Sequence, residues 1–542
     1  MGGQEDKLLV NVHLFYTIDL VTPDAAVDDL LPQFLGRAGF RTLEETPLTL
    51  VDGTSAFQIT YLWSSEEGTM NGALFAVVRG SQNFVIVVEG PEEEFEANVE
   101  EVRALLFSFQ LEEPSPAGIP RSQALTLYYD DGPLTLDPAI AQESKSIQYI
   151  TQIFSGLISF DSDLVLTSNL ARAWEVNGDG TVYTFTLHED ARFHDGKAVT
   201  AEDIKFSWER AVTLAAQGLS STAGTYLNDI VGVAEVMAGE AEEISGLEVV
   251  DANTLRVTVD APKVYFLSKL AHPVTYVVDR LNIEAESAGG DQVWWAEPNG
   301  TGPFSLNTWE PGIVMVLDAN EDYYGPTPSI PHVVFRLYGA VPRLMYEAGE
   351  IDVAPLFSDE LDDVRDPENP LSQELVELPE LSIFYVGFAS DKPPFDDPKV
   401  RQAFLMATDR AKLLRDVFNE SQEIAHGFLP PGLPGYNPDI PTIPFDPEAA
   451  RLLLADSSYG GPDGLPPIIY TASGVTTPGP VVESLLEMWR ENLGVEVVVQ
   501  LRDPGLYFYI LGLAVDNLYD YGWIADYPDP HNFLDVLFHS GA

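Results

Sequence analysis

The chain has 542 residues, of which 85 are acidic and 28 are basic, so its formal net charge is −57. Such a polyanion is repelled by nucleic acid phosphates and by anionic membrane surfaces, which argues against both as partners. The chain contains no cysteine, which excludes disulfides, thiolate metal sites and a cysteine nucleophile.

Hydrophobic residues make up 45% of the chain and charged residues 21%, which is typical of globular protein. The length predicts about three or four folding units. No apolar run approaches the ~18 residues that span a bilayer, and the start MGGQEDKLL lacks the basic and apolar regions of a signal peptide. We therefore expect no transmembrane segment. We also expect that the sequence is a mature or trimmed form of the protein, or that the protein is not exported.

The acidic residues are spread along the chain, which indicates that their charge serves solvation of the whole surface and does not form a binding patch. An acidic surface suits salty surroundings, although the sequence leaves the habitat open. The same charge raises the local concentration of cationic ligands.

Residues 1–111 predict a small α+β sandwich domain. A helix between the first two strands has Thr22 or Asp24 as its cap, and a second helix runs from about Pro91 to Leu106. The domain resembles the photosystem PsbP-like and Mog1-like sandwiches, whose closing helix runs into a Ser-Phe strand, here Ser108 and Phe109. Alternating apolar residues mark the predicted strands at Leu8–Tyr16, Ala56–Trp63, Ala73–Arg79 and Phe84–Glu89.

Residues 112–123, EEPSPAGIPRSQ, contain three prolines and a glycine and have no apolar periodicity. They predict a stiff, exposed connector. From residue 124 to residue 542 the chain predicts one large α/β unit.

The first predicted strand of this unit, ALTLYYD, ends in a turn that Gly132 and Pro133 impose, and such loops often line ligand crevices. Further on, Val182–Leu187 predicts a strand. Thr200 and Asp203 predict a capping box at the start of the next helix.

His194 lies between that strand and that helix. A catalytic or metal-binding role is rejected, because no second histidine or paired ligand lies nearby in the sequence. A structural role beside the turn is the preferred interpretation.

The segment GWIADYPDPHNFLD places Asp526 three residues after Trp523. An indole face attracts positive charge, and a partly desolvated carboxylate pairs with an ammonium group, so the pair suits capture of a small cation. The alternative is a strand that runs into a proline-rich turn, with Trp523 in the core.

Five separated motifs make the chain from about residue 124 resemble the extracellular solute-binding proteins of ABC importers. The resemblance is to the oligopeptide, dipeptide and nickel-binding family, solute-binding protein family 5. The fourth motif predicts a helix that starts at Pro398. The motifs are Leu170–Ser207, Asn299–Gly312, Asn320–Ala354, Asp396–Leu414 and Gly522–Asp535.

The resemblance implies an α/β fold, a two-lobed periplasmic-binding-protein clamshell of class II type with an additional subdomain, closing by hinge motion. Lobe I then takes about 124–161 and 291–380, the subdomain about 162–290, and lobe II about 381–542. Family members continue with further helices that return to the first lobe. We therefore expect the sequence to lack a C-terminal return segment.

The resemblance also implies a set of ligand-binding residues. Asp526 matches the acidic position that meets a peptide's free amino group, and Trp523 matches the aromatic residue before it. Asp131 and Gly132 match the loop after the first strand, where family members offer backbone groups. Tyr385 lies in the crossing segment SIFYVGFAS and is expected to face the cleft.

One departure concerns Asp520, which stands where some peptide binders carry a basic residue that meets a carboxylate. Recognition of a short peptide's C-terminus at this place is therefore in doubt. The negative charge and Asp526 favour ligands with a free amine.

The function implied is a periplasmic or extracellular, cell-surface-associated receptor that delivers an oligopeptide or similar solute to ABC permease subunits. We expect a monomer without metal or cofactor. Oligosaccharide or nickel-chelate binding stays open, as does a ligand sensor or chaperone that acts through the N-terminal sandwich. A hydrolase is disfavoured, because no G-x-S-x-G or H-E-x-x-H signature is present.

Overall fold

A computed structural model describes the chain at residues 8–16, 21–50, 53–65, 68–79, 82–109, 116–129, 132–219, 221–287, 293–339, 341–504, 506–507, 510–511 and 516–539. Its contacts divide the chain into two compact units. Unit 1 comprises Met1–Gly132, Leu306–Ala319 and Ser329–Leu356, and unit 2 comprises Pro133–Ser305, Asn320–Pro328 and Phe357–Ala542.

The N-terminal part of unit 1 is an antiparallel sheet of order β1-β5-β4-β3-β2 with helices on both faces. Phe34 packs on one face with Tyr61 and Leu74, and Phe95 packs on the other with Phe75. The elements are β1 Leu9–Tyr16, α1 Pro23–Leu30, α2 Pro32–Leu35, β2 Arg41–Thr49, β3 Ser55–Ser65, β4 Gly68–Arg79, β5 Gln82–Pro91, α3 Glu92–Ala97 and α4 Val99–Phe107.

The four predicted strands are confirmed, and the helix before β2 starts after Thr22, although no side chain caps it. Strand β2 was missed because its sequence RTLEETPLT is mostly exposed, as an edge strand can be, and contains Pro47. The predicted second helix is two helices that meet at Asn98. Ser108 caps α4, and residues 110–115 lie outside the described residues.

The second half of the predicted connector forms two short 3-10 turns at Pro116–Gly118 and Arg121–Gln123. Ile119 packs against Val314, Val316 and Val334. The connector thus packs against a second sheet of unit 1, which contains these three valines and is described below.

The next part of the chain supplies a strand of that second sheet and a helix-covered sheet of order β11-β12-β10-β9 in unit 2. Strand β10 and the capping box at Thr200 and Asp203 are confirmed. The elements are β6 Ala124–Tyr128, α5 Ser144–Ile153, β7 Ile158–Phe160, β8 Leu166–Ser168, β9 Ala171–Val176, β10 Val182–Leu187, α6 Ala201–Ala216, α7 Ala223–Tyr226, α8 Val233–Met237, β11 Leu247–Asp251, β12 Thr254–Thr258, α9 Phe266–Lys269 and α10 Arg280–Ser287.

The following strands complete the second sheet of unit 1, of order β13-β14-β15-β6, with β15 and β6 parallel. The first two residues of β13 belong to unit 2. The elements are β13 Phe304–Glu310, β14 Val314–Ala319, β15 His332–Arg336 and α11 Pro342–Glu347, and helix α12 Leu361–Arg365 follows in unit 2.

The last part of unit 2 is a sheet of order β16-β19-β17-β18, in which β17 is parallel to both of its neighbours. One face packs on helices through a core that includes Phe404, Tyr470 and Trp489. The elements are β16 Ser382–Phe388, α13 Pro398–Met406, α14 Arg410–Asp416, α15 Pro447–Ala455, β17 Ile468–Ser473, α16 Pro480–Leu493, β18 Val497–Arg502, β19 Leu518–Ile524 and α17 Pro530–Phe538.

The fourth motif was expected to form one helix, but it forms α13 and α14 with a break between them. The side chain of Asp409 accepts a hydrogen bond from the main-chain nitrogen of Lys412, so this residue starts a new helix. An aspartate that caps a helix explains the break.

His194 has the structural role that the sequence indicated. Its Nδ1 accepts a hydrogen bond from the main-chain nitrogen of Gly300 at 3.2 Å, and its Nε2 lies 3.2 Å from the carbonyl oxygen of Gly302. The ring therefore fixes the Gly300–Gly302 loop of the second motif. Burial lowers the pKa of His194, which keeps the ring neutral.

Throughout the described ranges, no helix is both long enough and apolar enough to cross a membrane.

Candidate functional site

The fifth motif spans the end of β19, a turn that contains Asp526, and the start of α17. Strand β19 ends at Ile524, and the side chain of Asp529 caps α17 by accepting a hydrogen bond from the main-chain nitrogen of His531 at 2.8 Å. Pro530 is the first residue of the helix, where its missing N–H costs nothing. Asp526 lies in this turn, so its position depends on the strand end and on the helix start.

Asp526 is a half-buried carboxylate with one oxygen engaged and one open. Its Oδ2 accepts hydrogen bonds from the hydroxyl of Tyr226 and from Nδ2 of Asn532, the latter at 2.9 Å. Its Oδ1 accepts no hydrogen bond from the described residues, and Nε2 of His272 lies 3.8 Å from it. The side chain is 19% exposed, so Oδ1 is available to a ligand.

Two buried rings form the floor behind this carboxylate. Tyr226 and His272 stack with their centroids 3.8 Å apart and their planes inclined by 18°. Burial lowers the pKa of His272, and burial together with the negative charge of Asp526 raises the pKa of Tyr226. Both rings are therefore neutral, and neither supplies a charge that would neutralise Asp526.

The protonation of His272 follows from its hydrogen bond. Nδ1 accepts from the main-chain nitrogen of Val274 at 3.1 Å, and an amide N–H can only donate. The neutral ring therefore carries its proton on Nε2, which faces the carboxylate.

Asn532 is a residue that sequence reasoning missed. It is fully buried in the first turn of α17, and its Oδ1 accepts hydrogen bonds from Nε1 of Trp523 and from the main-chain nitrogen of Asp526, both at 3.0 Å. One amide thus holds both residues that the sequence singled out. An asparagine just after Asp-Pro is also typical of a helix start, so the sequence carried no separate signal for this role.

Asp526 lines a cavity of about 720 Å³ within unit 2. Among the described residues that line it, Asp526 is the one with a formal charge, and burial lowers the pKa of His188, so that ring is neutral. The wall is therefore aromatic and rich in hydroxyl groups, which suits a cationic ligand with polar substituents. The lining residues are Thr151, Phe154, Ser155, Ser159, Phe160, Thr167, Ser168, Asn169, His188, Ala271, Tyr276, Pro303, Tyr323, Tyr324, Gly325, Pro326 and Asp526.

Trp523 and Tyr385 lie on one face of the unit 2 sheet. Tyr385 pairs with Tyr521 across β16 and β19, and Tyr521 stacks on Trp523 with 6.2 Å between the ring centroids. Tyr385 also contacts Phe428 and Phe538 at centroid distances of 5.6 Å and 6.2 Å. These rings form an aromatic face, and none of them lines the cavity beside Asp526.

Asp520 lies on the opposite face of β19, because it alternates with Tyr519 and Tyr521. Its Oδ1 is buried and accepts no hydrogen bond from the described residues, and burial raises the pKa of the Asp520 carboxyl. Asp520 is thus a neighbour of Trp523 in sequence but not on the same surface.

Gly132 lies in unit 1, where a Cβ atom would meet Leu337 Cδ1 at 3.2 Å and Trp309 Nε1 at 3.3 Å. The loop is thus packed tightly at this glycine. Asp131 lies outside the described residues.

Among the described residues, no group of three or more acidic or histidine side chains is placed so that it could hold a metal ion. The arrangement at Asp526 offers a carboxylate, neutral rings and hydroxyl groups. It is suited to binding.

Comparison with known proteins gives a consistent picture. The profile of the family described as "Bacterial extracellular solute-binding proteins, family 5 Middle" matches residues 165–542, which contain all five motifs. The "Periplasmic murein peptide-binding protein MppA" of Escherichia coli (strain K12) is 27% identical over 465 residues, covering 81% of this chain and 82% of that protein. The "Periplasmic oligopeptide-binding protein OppA" of the same strain is 27% identical over 446 residues, covering 79% and 80%.

A solved structure of the Escherichia coli murein tripeptide binding protein MppA superposes with a TM-score of 0.68 and 27% identity. The match covers 78% of this chain and 84% of that chain. It confirms the predicted fold class, the α/β fold of the two-lobed periplasmic binding proteins.

Proposed function

The chain belongs to the bacterial extracellular solute-binding proteins of family 5, and from this premise we propose that it is the peptide receptor of an ABC importer. It captures an oligopeptide outside the cytoplasm and delivers it to the permease. The names of the relatives MppA and OppA, a murein peptide binder and an oligopeptide binder, support the ligand class. A solved relative from Borrelia burgdorferi is described as an oligopeptide ABC transporter protein, which supports the permease as partner.

The single observation that carries the proposal is the open Oδ1 of Asp526 on a cavity whose other described lining residues carry no formal charge. A peptide's α-ammonium group pairs with this oxygen, and the low local dielectric strengthens the pair. Neutral Tyr226 and His272 leave the negative charge uncompensated until the ligand arrives. This explains why an amine is favoured over a neutral group.

We assign the remaining ligand contacts to the residues that the sequence indicated. Trp523 and Tyr385 contribute apolar and cation-attracting surface from the aromatic face. For Gly132 and Asp131, a contribution of backbone groups stays the prediction that the family resemblance implies. The contacts of Trp523 with Asn532 support its assignment, because the same amide positions Asp526.

The proposed domain organisation keeps the predicted boundaries. The N-terminal sandwich is an accessory domain joined by the connector to residues 124–542. Those residues comprise lobe I, the additional subdomain and lobe II. The protein acts as a binding receptor and not as an enzyme, which agrees with a family of solute-binding proteins.

Native mass spectrometry of the purified chain, followed by denaturing release of its cargo, tests the proposal. A ladder of co-purified peptides is the expected result and gives the length preference directly. Release of a sugar or a metal chelate would show that the ligand is not a peptide and would identify the true ligand class. Purification of the chain without any bound ligand, together with no binding to any member of a random peptide library, would overturn the peptide-receptor function.

A further inference from the structure

The cavity beside Asp526 is larger than the amine that this carboxylate pairs with. Its volume of about 720 Å³ lies within the range of about 300–1,000 Å³ that is typical of pockets for drug-sized ligands. An ammonium group at the open Oδ1 of Asp526 therefore leaves most of this space to another part of the ligand. The residues that line the cavity decide which chemical group can fill it.

Asn169, the residue after β8, lines the cavity with an amide whose two ends differ. Its Oδ1 accepts a hydrogen bond from the hydroxyl of Tyr324, and the hydroxyl of Tyr323 lies 3.5 Å from the same oxygen. Its Nδ2 donates to no described residue, and this atom is not among the buried polar atoms of the described chain. The nitrogen is thus available as a donor to a ligand in the cavity.

Tyr276 adds a second polar group without a partner among the described residues. The residue is 8% exposed and lines the cavity, and its hydroxyl forms no hydrogen bond with a described residue. Burial raises the pKa of Tyr276, so the hydroxyl keeps its proton and can both donate and accept. Because buried hydroxyl groups usually have a hydrogen-bond partner, this one calls for a partner from the ligand.

His188 is the third polar group of this wall. The centroid of its ring lies 5.2 Å from that of Tyr324, and neither of its ring nitrogens bonds to a described residue. The neutral ring has one nitrogen that donates and one that accepts. Asn169, Tyr276 and His188 together offer donors and acceptors but no charge.

The first side chain of the bound peptide is the part of the ligand that reaches this wall. It branches from the carbon atom that carries the ammonium group, so pairing of that group with Asp526 brings the side chain to the same cavity. The rest of the peptide is assigned to the aromatic face of Trp523 and Tyr385, and neither of these residues lines the cavity.

We infer that the receptor selects peptides whose first side chain is uncharged and forms hydrogen bonds, and that Asn169 determines this preference. The inference rests on the proposed peptide-receptor function and specifies its substrate class. A carboxamide fits best, because its oxygen accepts from Nδ2 of Asn169 while its nitrogen donates to Tyr276 or His188.

Other first side chains fit this wall less well. An apolar side chain fills the space but leaves the buried polar groups without partners. An acidic side chain brings a second negative charge beside Asp526, where the described lining holds no cation to compensate it.

A competition among three tetrapeptides on the full chain tests the inference. Each peptide has free ends and three alanines, preceded by asparagine, leucine or aspartate, which have similar shapes and differ in hydrogen bonding and charge. The retained fraction of each is quantified by mass spectrometry. We expect the wild type to retain the asparagine peptide over the leucine peptide by about fivefold or more, and over the aspartate peptide by about tenfold or more.

Asn169→Asp keeps an oxygen for the tyrosine hydroxyls and removes the donor, so the ratio of asparagine to leucine peptide should fall close to one. Asn437→Asp is the matched control, since this exposed residue also accepts a hydrogen bond through Oδ1, and the ratio should stay that of the wild type. Tyr276→Phe removes a single hydroxyl and should lower the ratio as well, which keeps the test open if Asn169→Asp fails to fold.

Equal retention of the asparagine and leucine peptides by the wild type would overturn the inference while peptide binding itself stands. An unchanged ratio in a folded Asn169→Asp would overturn the role of Asn169. Retention of neither these peptides nor any member of a random tetrapeptide library would instead contradict the proposed function, and the inference would fall with it.

Discussion

Asn532 holds Asp526 at two points: its Nδ2 donates to the carboxylate Oδ2 at 2.9 Å, and its Oδ1 accepts from the main-chain nitrogen at 3.0 Å. The side chain and the backbone of the proposed ammonium-binding residue are thus fixed by one buried amide. A pre-organised carboxylate loses little freedom when the ligand binds, which favours affinity.

Asn532→Ala is expected to weaken binding of amine-bearing peptides by about tenfold and to destabilise the fold by about 1–3 kcal/mol, because buried donors lose their acceptor. Isothermal titration calorimetry and denaturant unfolding measure the two effects. Asn492→Ala is the control, since it removes a hydrogen bond to the carbonyl oxygen of Ala407, far along the chain from the site. Equal affinity losses in both variants would show a general stability effect and no positioning role.

The buried cation Lys269 depends on Asp229. Its Nζ lies 2.6 Å from Oδ2 of that residue, and the side chain is 1% exposed. Lys269→Met should cost about 3–5 kcal/mol in free energy of unfolding, because it leaves a buried carboxylate with less compensation. Lys412→Met, which breaks an exposed pair with Asp416, should cost less than about 0.5 kcal/mol. Similar losses from the two variants would contradict this account of the core.

The glycine loop of the second motif packs against the end of α5. A Cβ atom on Gly302 would lie 2.3 Å from the carbonyl oxygen of Gln152, which is backbone and has no room to move. Gly302→Ala should therefore destabilise unit 2 by at least about 2 kcal/mol. Gly479→Ala has open space around it, so its thermal unfolding curve should match that of the wild type.

Acid should destabilise the protein partly through His194. Its folded-state pKa is below the ordinary 6.5, so the unfolded chain binds the proton more readily. The stabilising contribution is complete above about pH 6.5 and is lost as the pH falls below that value.

His194→Gln should reduce the slope of stability against pH in this acid range by up to ~1.4 kcal/mol per pH unit. Urea unfolding at several pH values between 4 and 8 gives the slope. The exposed His426 offers a matched replacement that should leave it unchanged. A His194→Gln slope equal to that of the wild type would refute the assignment.

Elements with a clear apolar period could be predicted from the sequence. Strand β10 has buried residues at every second position, and its predicted bounds match. Strand β2 has no such period, since an edge strand buries little, and Asp409 breaks a helix that periodicity alone would continue.

Only some residues of the candidate site could be predicted from the sequence, and the reason differs from that for the fold. Trp523 and Asp526 lie three residues apart and match a family motif. Tyr226, which donates to Asp526, is 300 residues away in the chain, so no local pattern reveals it. Asn532 was hidden because its position at a helix start has an ordinary local explanation.

The most direct test of the central claim compares two tetrapeptide libraries, one with free and one with acetylated amino ends, on the wild type and on Asp526→Asn by calorimetry. We predict that the wild type prefers the free amine and that Asp526→Asn loses about 1.5–3 kcal/mol of binding free energy for it, with little change for the acetylated form. Unchanged affinity of Asp526→Asn for the free-amine library would contradict the role of this carboxylate.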